Sequence, residues 1–112
     1  MIDYFAIARE VANGGDPRRH YRLGAVGIRS DQAIVYACNG PSTQPEARAH
    51  AEFRLSRKLD KNSVVYVARV RRDDGKFALS RPCPSCLRML GYKGVTRCYY
   101  TIEENEYGYV DY

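Results

Sequence analysis

A chain of 112 residues, 45% hydrophobic and 28% charged, is long enough for one domain with a modest core, so residues 1–112 are expected to form a single domain. No run of about 18 apolar residues exists, which excludes a membrane-spanning helix, and the opening MIDYFAIARE carries acids where a signal peptide carries basic residues. The expected setting is therefore cytoplasmic, with four reduced cysteines free for metal binding, catalysis or packing.

The formal charge of +5 comes from a chain in which arginine far outnumbers lysine. Arginine favours bidentate phosphate contacts and stacking on flat rings, so a nucleotide or nucleic-acid partner fits. A solvated basic surface accounts for the charge equally well.

In chain order, residues 3–12 read as a short amphipathic helix with Ile7, Ala8 and Val11 on one side, ended by NGGDP. YRLGAVGIR (21–29) and AIVYACN (33–39) form a hairpin pattern around Ser-Asp-Gln, and GPSTQP is a loop. Ala47, Ala51, Leu55 and Leu59, four apart, predict a helix within 46–59. SVVYVARVRR (63–72) is a strand followed by an Asp-Asp-Gly turn. PSCLRMLGY predicts a helix stopped by Gly91, and VTRCYYTI and EYGYVDY predict two closing strands. The order α-β-β-α-β-α-β-β implies a layered α/β domain with a five-stranded mixed sheet. The last two strands have too short a link for a crossover and should pair antiparallel.

The stretch SRPCPSCLRML holds the chemistry. Alone, Cys83 and Cys86 fit a redox couple, half of a structural zinc site or part of a catalytic metal centre. They lie late in the chain, after three strands, which departs from the usual placement of a thioredoxin-like pair. Of the two histidines, His20 reads as a surface residue, whereas His50 stands in AHAEF with Glu52 two residues on. Residues i and i+2 diverge by about 200° around a helix. They can still serve one target if the helix begins near His50 and both side chains reach past its N-terminal end. His-x-Glu followed by Pro-Cys-x-x-Cys is the signature of zinc nucleobase deaminases. Three ligands, His50, Cys83 and Cys86, leave a fourth zinc position open. A structural zinc would need a further ligand such as Cys38 or Cys98; otherwise these two pack as small hydrophobes.

With HAE at 50–52 and PCPSC at 82–86, the chain resembles the cytidine deaminase-like superfamily over nearly its whole length. The resemblance implies a three-layer α/β/α fold, a Zn2+ cofactor and Glu52 as the catalytic proton carrier. It also implies substrate contacts from Asn39, from the Ala51 backbone N–H and from the Arg81 backbone carbonyl. The short link between the last two strands resembles the branch that acts on cytosine. His50 in place of cysteine departs from the usual free cytidine deaminases.

The expected reaction is hydrolytic deamination of cytosine to uracil in single-stranded DNA or RNA, with free (deoxy)cytidine or its monophosphate as the alternative substrate. Adenosine in tRNA and a non-catalytic zinc module stand further off. Arg18, Arg19 and Arg22, with Arg69, Arg71 and Arg72, are candidates for a basic groove, and Tyr107, Tyr109 and Tyr112 for base stacking. Short strands and ten tyrosines are compatible with self-association.

Overall fold

Residues 2–15, 21–39 and 50–112 are described by a computed structural model. The predicted elements appear in order: α1 (Tyr4–Asn13), β1 (Tyr21–Ile28), β2 (Ile34–Cys38), α2 (Ala51–Ser56), β3 (Val64–Arg71), β4 (Phe77–Ala78), α3 (Pro84–Tyr92), β5 (Arg97–Glu103) and β6 (Glu106–Asp111). The sheet runs β2-β1-β3-β5-β6, with β4 paired to the end of β3 beyond the reach of β5. The mixed sheet thus holds one strand more than the sequence pattern implies. The Asp-Asp-Gly turn folds two residues back onto β3, a stretch too short to show alternation. β5 and β6 pair antiparallel around Asn105 at φ 62°.

Three layers result. Ala25, Val65, Val67 and Cys98 of the sheet pack with Ala51 and Leu55 of α2 and Leu90 of α3. Val26, Ala68 and Val70 point the other way, onto Phe5, Ala8 and Ala12 of α1. The strands alternate residue by residue, as a sheet buried on both faces requires. The apolar stripe of α1 differs from the predicted one: Phe5, Ala8 and Ala12 are buried, while Ile7 and Val11 lie half-buried at its flank. The reason is β1. A Cβ at Gly24 would lie 2.1 Å from the Ala8 carbonyl oxygen and 2.7 Å from the Ala12 nitrogen. Helix and strand approach so closely that only small residues fit between them.

Helix α3 has the bounds of the predicted stretch PSCLRMLGY, Pro84–Tyr92, but it runs through Gly91 and is closed by Gly94 just beyond its C-cap Lys93. Gly94 has φ +85°, its N–H donates to the Gly91 carbonyl (3.0 Å), and the Val95 N–H donates to the Leu90 carbonyl (3.2 Å). This double bond pattern satisfies the last carbonyls and needs the left-handed conformation that glycine allows. In α2 the described helix starts at Ala51; residues 46–49 of the predicted stretch, with His20, Arg18 and Arg19, lie outside the described residues.

Asp60 ties the β1–β2 turn to the loop before β3. Its carboxylate accepts from the Ser30 hydroxyl (2.6 Å), the Ser30 N–H (3.1 Å) and the Ser63 hydroxyl (2.8 Å). These donors, the Ser30 hydroxyl first, hold its pKa down at about 2 against an ordinary 3.8.

Two outcomes are expected. Gly24→Ala should cost about 3 kcal/mol in urea unfolding, because the new methyl meets backbone that cannot yield cheaply. Stability contributed by Asp60 is present above its unfolded pKa of about 4 and is lost as pH falls toward 2. Asp60→Asn should therefore flatten the acid limb of a stability-versus-pH curve between about pH 4 and pH 2.

Candidate metal centre and active site

The two motif-bearing helices begin side by side. His50 caps the N-terminus of α2 and Cys83 that of α3, both in extended backbone. The His50 side chain makes no capping bond to its helix, and the Cys83 thiol meets the first turn of α3 at Ser85 Oγ (3.2 Å). These side chains extend past the helix ends. Pro84 opens α3, where its missing N–H costs nothing. The donor atoms of His50, Cys83 and Cys86 all lie within 4.8 Å of one another. His50 Nδ1 is 3.6 Å from Cys86 Sγ.

These residues fit zinc on geometry and donor chemistry. A thiolate at about 2.3 Å and an imidazole nitrogen at about 2.0 Å from a tetrahedral zinc lie about 3.5 Å apart. One nitrogen and two sulfurs form a borderline-soft set of the kind zinc takes. Among the described residues, no fourth donor joins the three. Cys98 is fully buried in the core, where burial pushes its thiol up to about 12, and Cys38 lies on β2 beside Gly15. Among the described residues the set is thus that of an open site rather than a closed structural one.

The electrostatics point the same way. Burial disfavours ionisation of Cys83, but bonds from the Ser85 hydroxyl (3.2 Å) and nearby backbone N–H groups outweigh it and hold the thiol below its ordinary pKa. Cys86 is buried, and desolvation first, then the neighbouring Glu52 charge, raise its pKa strongly. Glu52 is only 3% exposed, and its pKa is also raised, chiefly by burial. Two acids desolvated side by side hold their protons unless a cation lies between them; a divalent ion inverts that balance.

Asn39 is 5% exposed at the end of β2. Its Oδ1 accepts from the Leu23 N–H (3.1 Å), and its own N–H donates to the Leu23 carbonyl (3.1 Å). With Oδ1 committed to β1, the amide NH2 is the end left to donate. Ala51 is the first residue of α2, so its N–H has no intrahelical acceptor. Arg81 is exposed, its guanidinium 5.8 Å from the centre of the Tyr100 ring.

One element of the site has no sequence signature. Ser80 and Thr101 are buried and joined by their hydroxyls (2.8 Å). Ser80 Oγ also donates to the Val67 carbonyl (2.8 Å), while the Thr101 N–H donates to Ser80 Oγ (2.7 Å) and the Ser80 N–H to the Thr101 carbonyl (2.8 Å). Thr101 Oγ1 reaches the Ala78 carbonyl (2.7 Å). The loop leading to Arg81 and Cys83 is thereby pinned to β3 and β5. These partners are 21 residues apart, and no motif links them.

The candidate groove residues are scattered. Arg71 pairs with Asp74 in the β3–β4 turn, Arg69 lies toward the Leu79 carbonyl (3.5 Å), and Arg22 toward Asn13 (3.5 Å). Tyr107 stacks on Phe5 (4.4 Å between ring centres) on the α1 side of the sheet, away from the two cysteines, and Tyr109 contacts Tyr99 there.

Comparison with known proteins places this geometry. A cytidine deaminase from Burkholderia pseudomallei superposes with a TM-score of 0.67 at 13% identity, covering 99% of this chain and 93% of that one. A cytidine deaminase from Mycobacterium tuberculosis gives 0.58 at 20% identity, covering 89% and 85%. At such identity the likeness is one of fold. No curated protein matches the sequence. The family model of the cytidine and deoxycytidylate deaminase zinc-binding region matches residues 2–102, nearly the whole chain. The chain therefore belongs to this family of zinc-dependent hydrolases, which remove the amine of a nucleobase.

Proposed function

We propose that this chain converts cytosine to uracil in single-stranded nucleic acid, with His50, Cys83 and Cys86 holding zinc and Glu52 moving the protons. The observation that carries the reading is the convergence of the three donors beside the buried carboxyl of Glu52. Zinc bound there supplies an activated water, its pKa lowered from 15.7 to about 7.

The chain's own groups do the rest. Desolvation raises the Glu52 pKa, which brings a carboxyl toward the range useful for both taking and giving protons. As the water oxygen bonds to C4, Glu52 takes the released proton and delivers it to N3. It carries the second proton to the exocyclic nitrogen, the C4–N4 bond breaks, and ammonia leaves. The Ala51 N–H donates to the base carbonyl, and the Asn39 amide to the sugar. The Arg81 carbonyl accepts from the departing amine, and the Ser80–Thr101 pair fixes where that carbonyl stands.

Exposure of the site's rim supports a polymeric substrate. His50, Arg81, Cys83 and Ser85 are all exposed, whereas a free nucleoside has to be enclosed to bind well. Free cytidine or deoxycytidylate is the second reading, favoured by the name of the matching family.

Uracil formation measured in parallel on cytidine, dCMP and a cytosine-containing single-stranded oligonucleotide should show turnover of the oligonucleotide. Turnover of the monomers alone would sink the polymer reading. Glu52→Gln should abolish turnover on every substrate while keeping zinc. Metal analysis should find about one zinc per chain and nearly none in His50→Ala. Ser80→Ala should lose about 1–3 kcal/mol of stability, and it should lower kcat more than it changes KM. Thr101→Val should do the same, and Thr101→Ser should restore kcat.

A further inference from the structure

Among the described residues, the net positive charge sits in one layer. The helices α2 and α3 with their adjoining loops, residues 50–61 and 81–94, carry seven basic and two acidic side chains, a balance equal to the +5 of the whole chain. Of the two acids, Glu52 is buried and Asp60 is held by Ser30 and Ser63. The remaining acids of the described residues lie on α1, in the turns flanking β2 and β4, and along the β5–β6 hairpin. Every ion pair among the described residues uses a base from outside the layer: Arg9, Arg29, Arg71 or Arg97. Within it, Arg54, Arg57, Lys58, Lys61, Arg88 and Lys93 are exposed and have no acidic partner among the described residues.

Placement near helix C-termini accounts for part of this set, since cations there complement the helix dipole. It does not account for Arg88, in the middle of α3, nor for Tyr92 four residues on. Tyr92 is 92% exposed, the most exposed of the large hydrophobic side chains. Residues four apart share one side of a helix, so guanidinium and ring stand together. Eight helical steps put Tyr92 about 12 Å along the axis from Pro84, at the cysteine end. α2 and α3 pack against each other with the metal-binding residues at their N-termini, so the cations flank that end on two sides. Arg54, Arg57 and Lys58 line the cleft that α2 forms with Tyr36, Ala37 and Cys38 of β2, and Arg88 and Lys93 lie on α3.

Unpaired cations beside a bare aromatic ring form the combination that holds single strands: basic groups follow the backbone, and the ring stacks on a base. We propose that the α2–α3 face is a binding track for single-stranded nucleic acid, with Arg54 and Arg88 on phosphates and Tyr92 stacked on a base flanking the target. This rests on the polymeric-substrate reading above and extends it to a surface.

The test is fluorescence anisotropy of a labelled single-stranded deoxyoligonucleotide with zinc-loaded Glu52→Gln protein over a range of salt. Arg54→Gln and Arg88→Gln should each weaken binding and reduce the slope of log affinity against log salt by about 0.7. Tyr92→Ala should weaken binding roughly tenfold with the slope unchanged. Lys76→Gln, on the β3–β4 hairpin, should change neither. Binding that ignores Arg54, Arg88 and Tyr92, or falls as much with Lys76→Gln, overturns the proposal. So does sedimentation showing a dimer that Tyr92→Ala dissolves without any oligonucleotide affinity, since a second copy would then cover the face. Turnover of free cytidine by the wild-type protein alongside absent oligonucleotide binding defeats the track and leaves the deaminase standing. Turnover surviving Glu52→Gln defeats the catalytic reading itself.

Discussion

The parallel pairing of β3 with β5 is the constraint on which the site depends. α2 leads into β3 and α3 leads into β5, so two parallel strands require two helices running the same way over one face. Their N-termini must then lie at the same end of the sheet. His50 begins one helix and Cys83 the other, and the geometry that joins the donors follows from that topology. An antiparallel β5 would send α3 the opposite way and separate the donors by the length of a helix.

Convergence creates an electrostatic problem that metal binding resolves. Glu52 and Cys86 are buried together, and each is pushed toward its protonated form mainly by loss of water. A divalent cation held by the three donors would reverse this for the thiol, and the carboxyl, which is not among them, would be left as the proton-exchanging group that the proposed function requires. The arrangement resembles the acid–base division of labour in other buried carboxyl sites, where environment rather than residue type sets the role. The surrounding scaffold is correspondingly stiff. Small residues let α1 lie close on β1, and the Ser80–Thr101 bonds hold the cysteine loop to the two central strands.

Legibility from sequence followed the range of the interactions. Helix α1, the hairpins and β3 were readable because alternation, helical spacing and turn residues are local signals. The helical stretch PSCLRMLGY was legible with its bounds, Pro84–Tyr92, but the glycine that closes it was not. Gly91 and Gly94 look alike in sequence, and only Gly94 takes the left-handed conformation. Strand β4 has two residues and no pattern of its own, so it exists only as a partner of β3. The face of α1 turned because β1 presents Gly24 to Ala8 and Ala12, a contact that the periodicity of α1 alone does not contain.

The sequence by itself determined the site's chemistry. A histidine and two cysteines at these spacings define a donor set, with a glutamate proposed as the proton carrier, because ligand identity and helical spacing are properties of the chain alone. The tertiary structure decided what chain order cannot: that His50 Nδ1 and Cys86 Sγ meet at 3.6 Å, that Ser80 finds Thr101, and that the net positive charge of the described residues collects on one layer. Each depends on residues tens of positions apart becoming neighbours. The pairing and layering of the strands bring that about, and no local pattern encodes it.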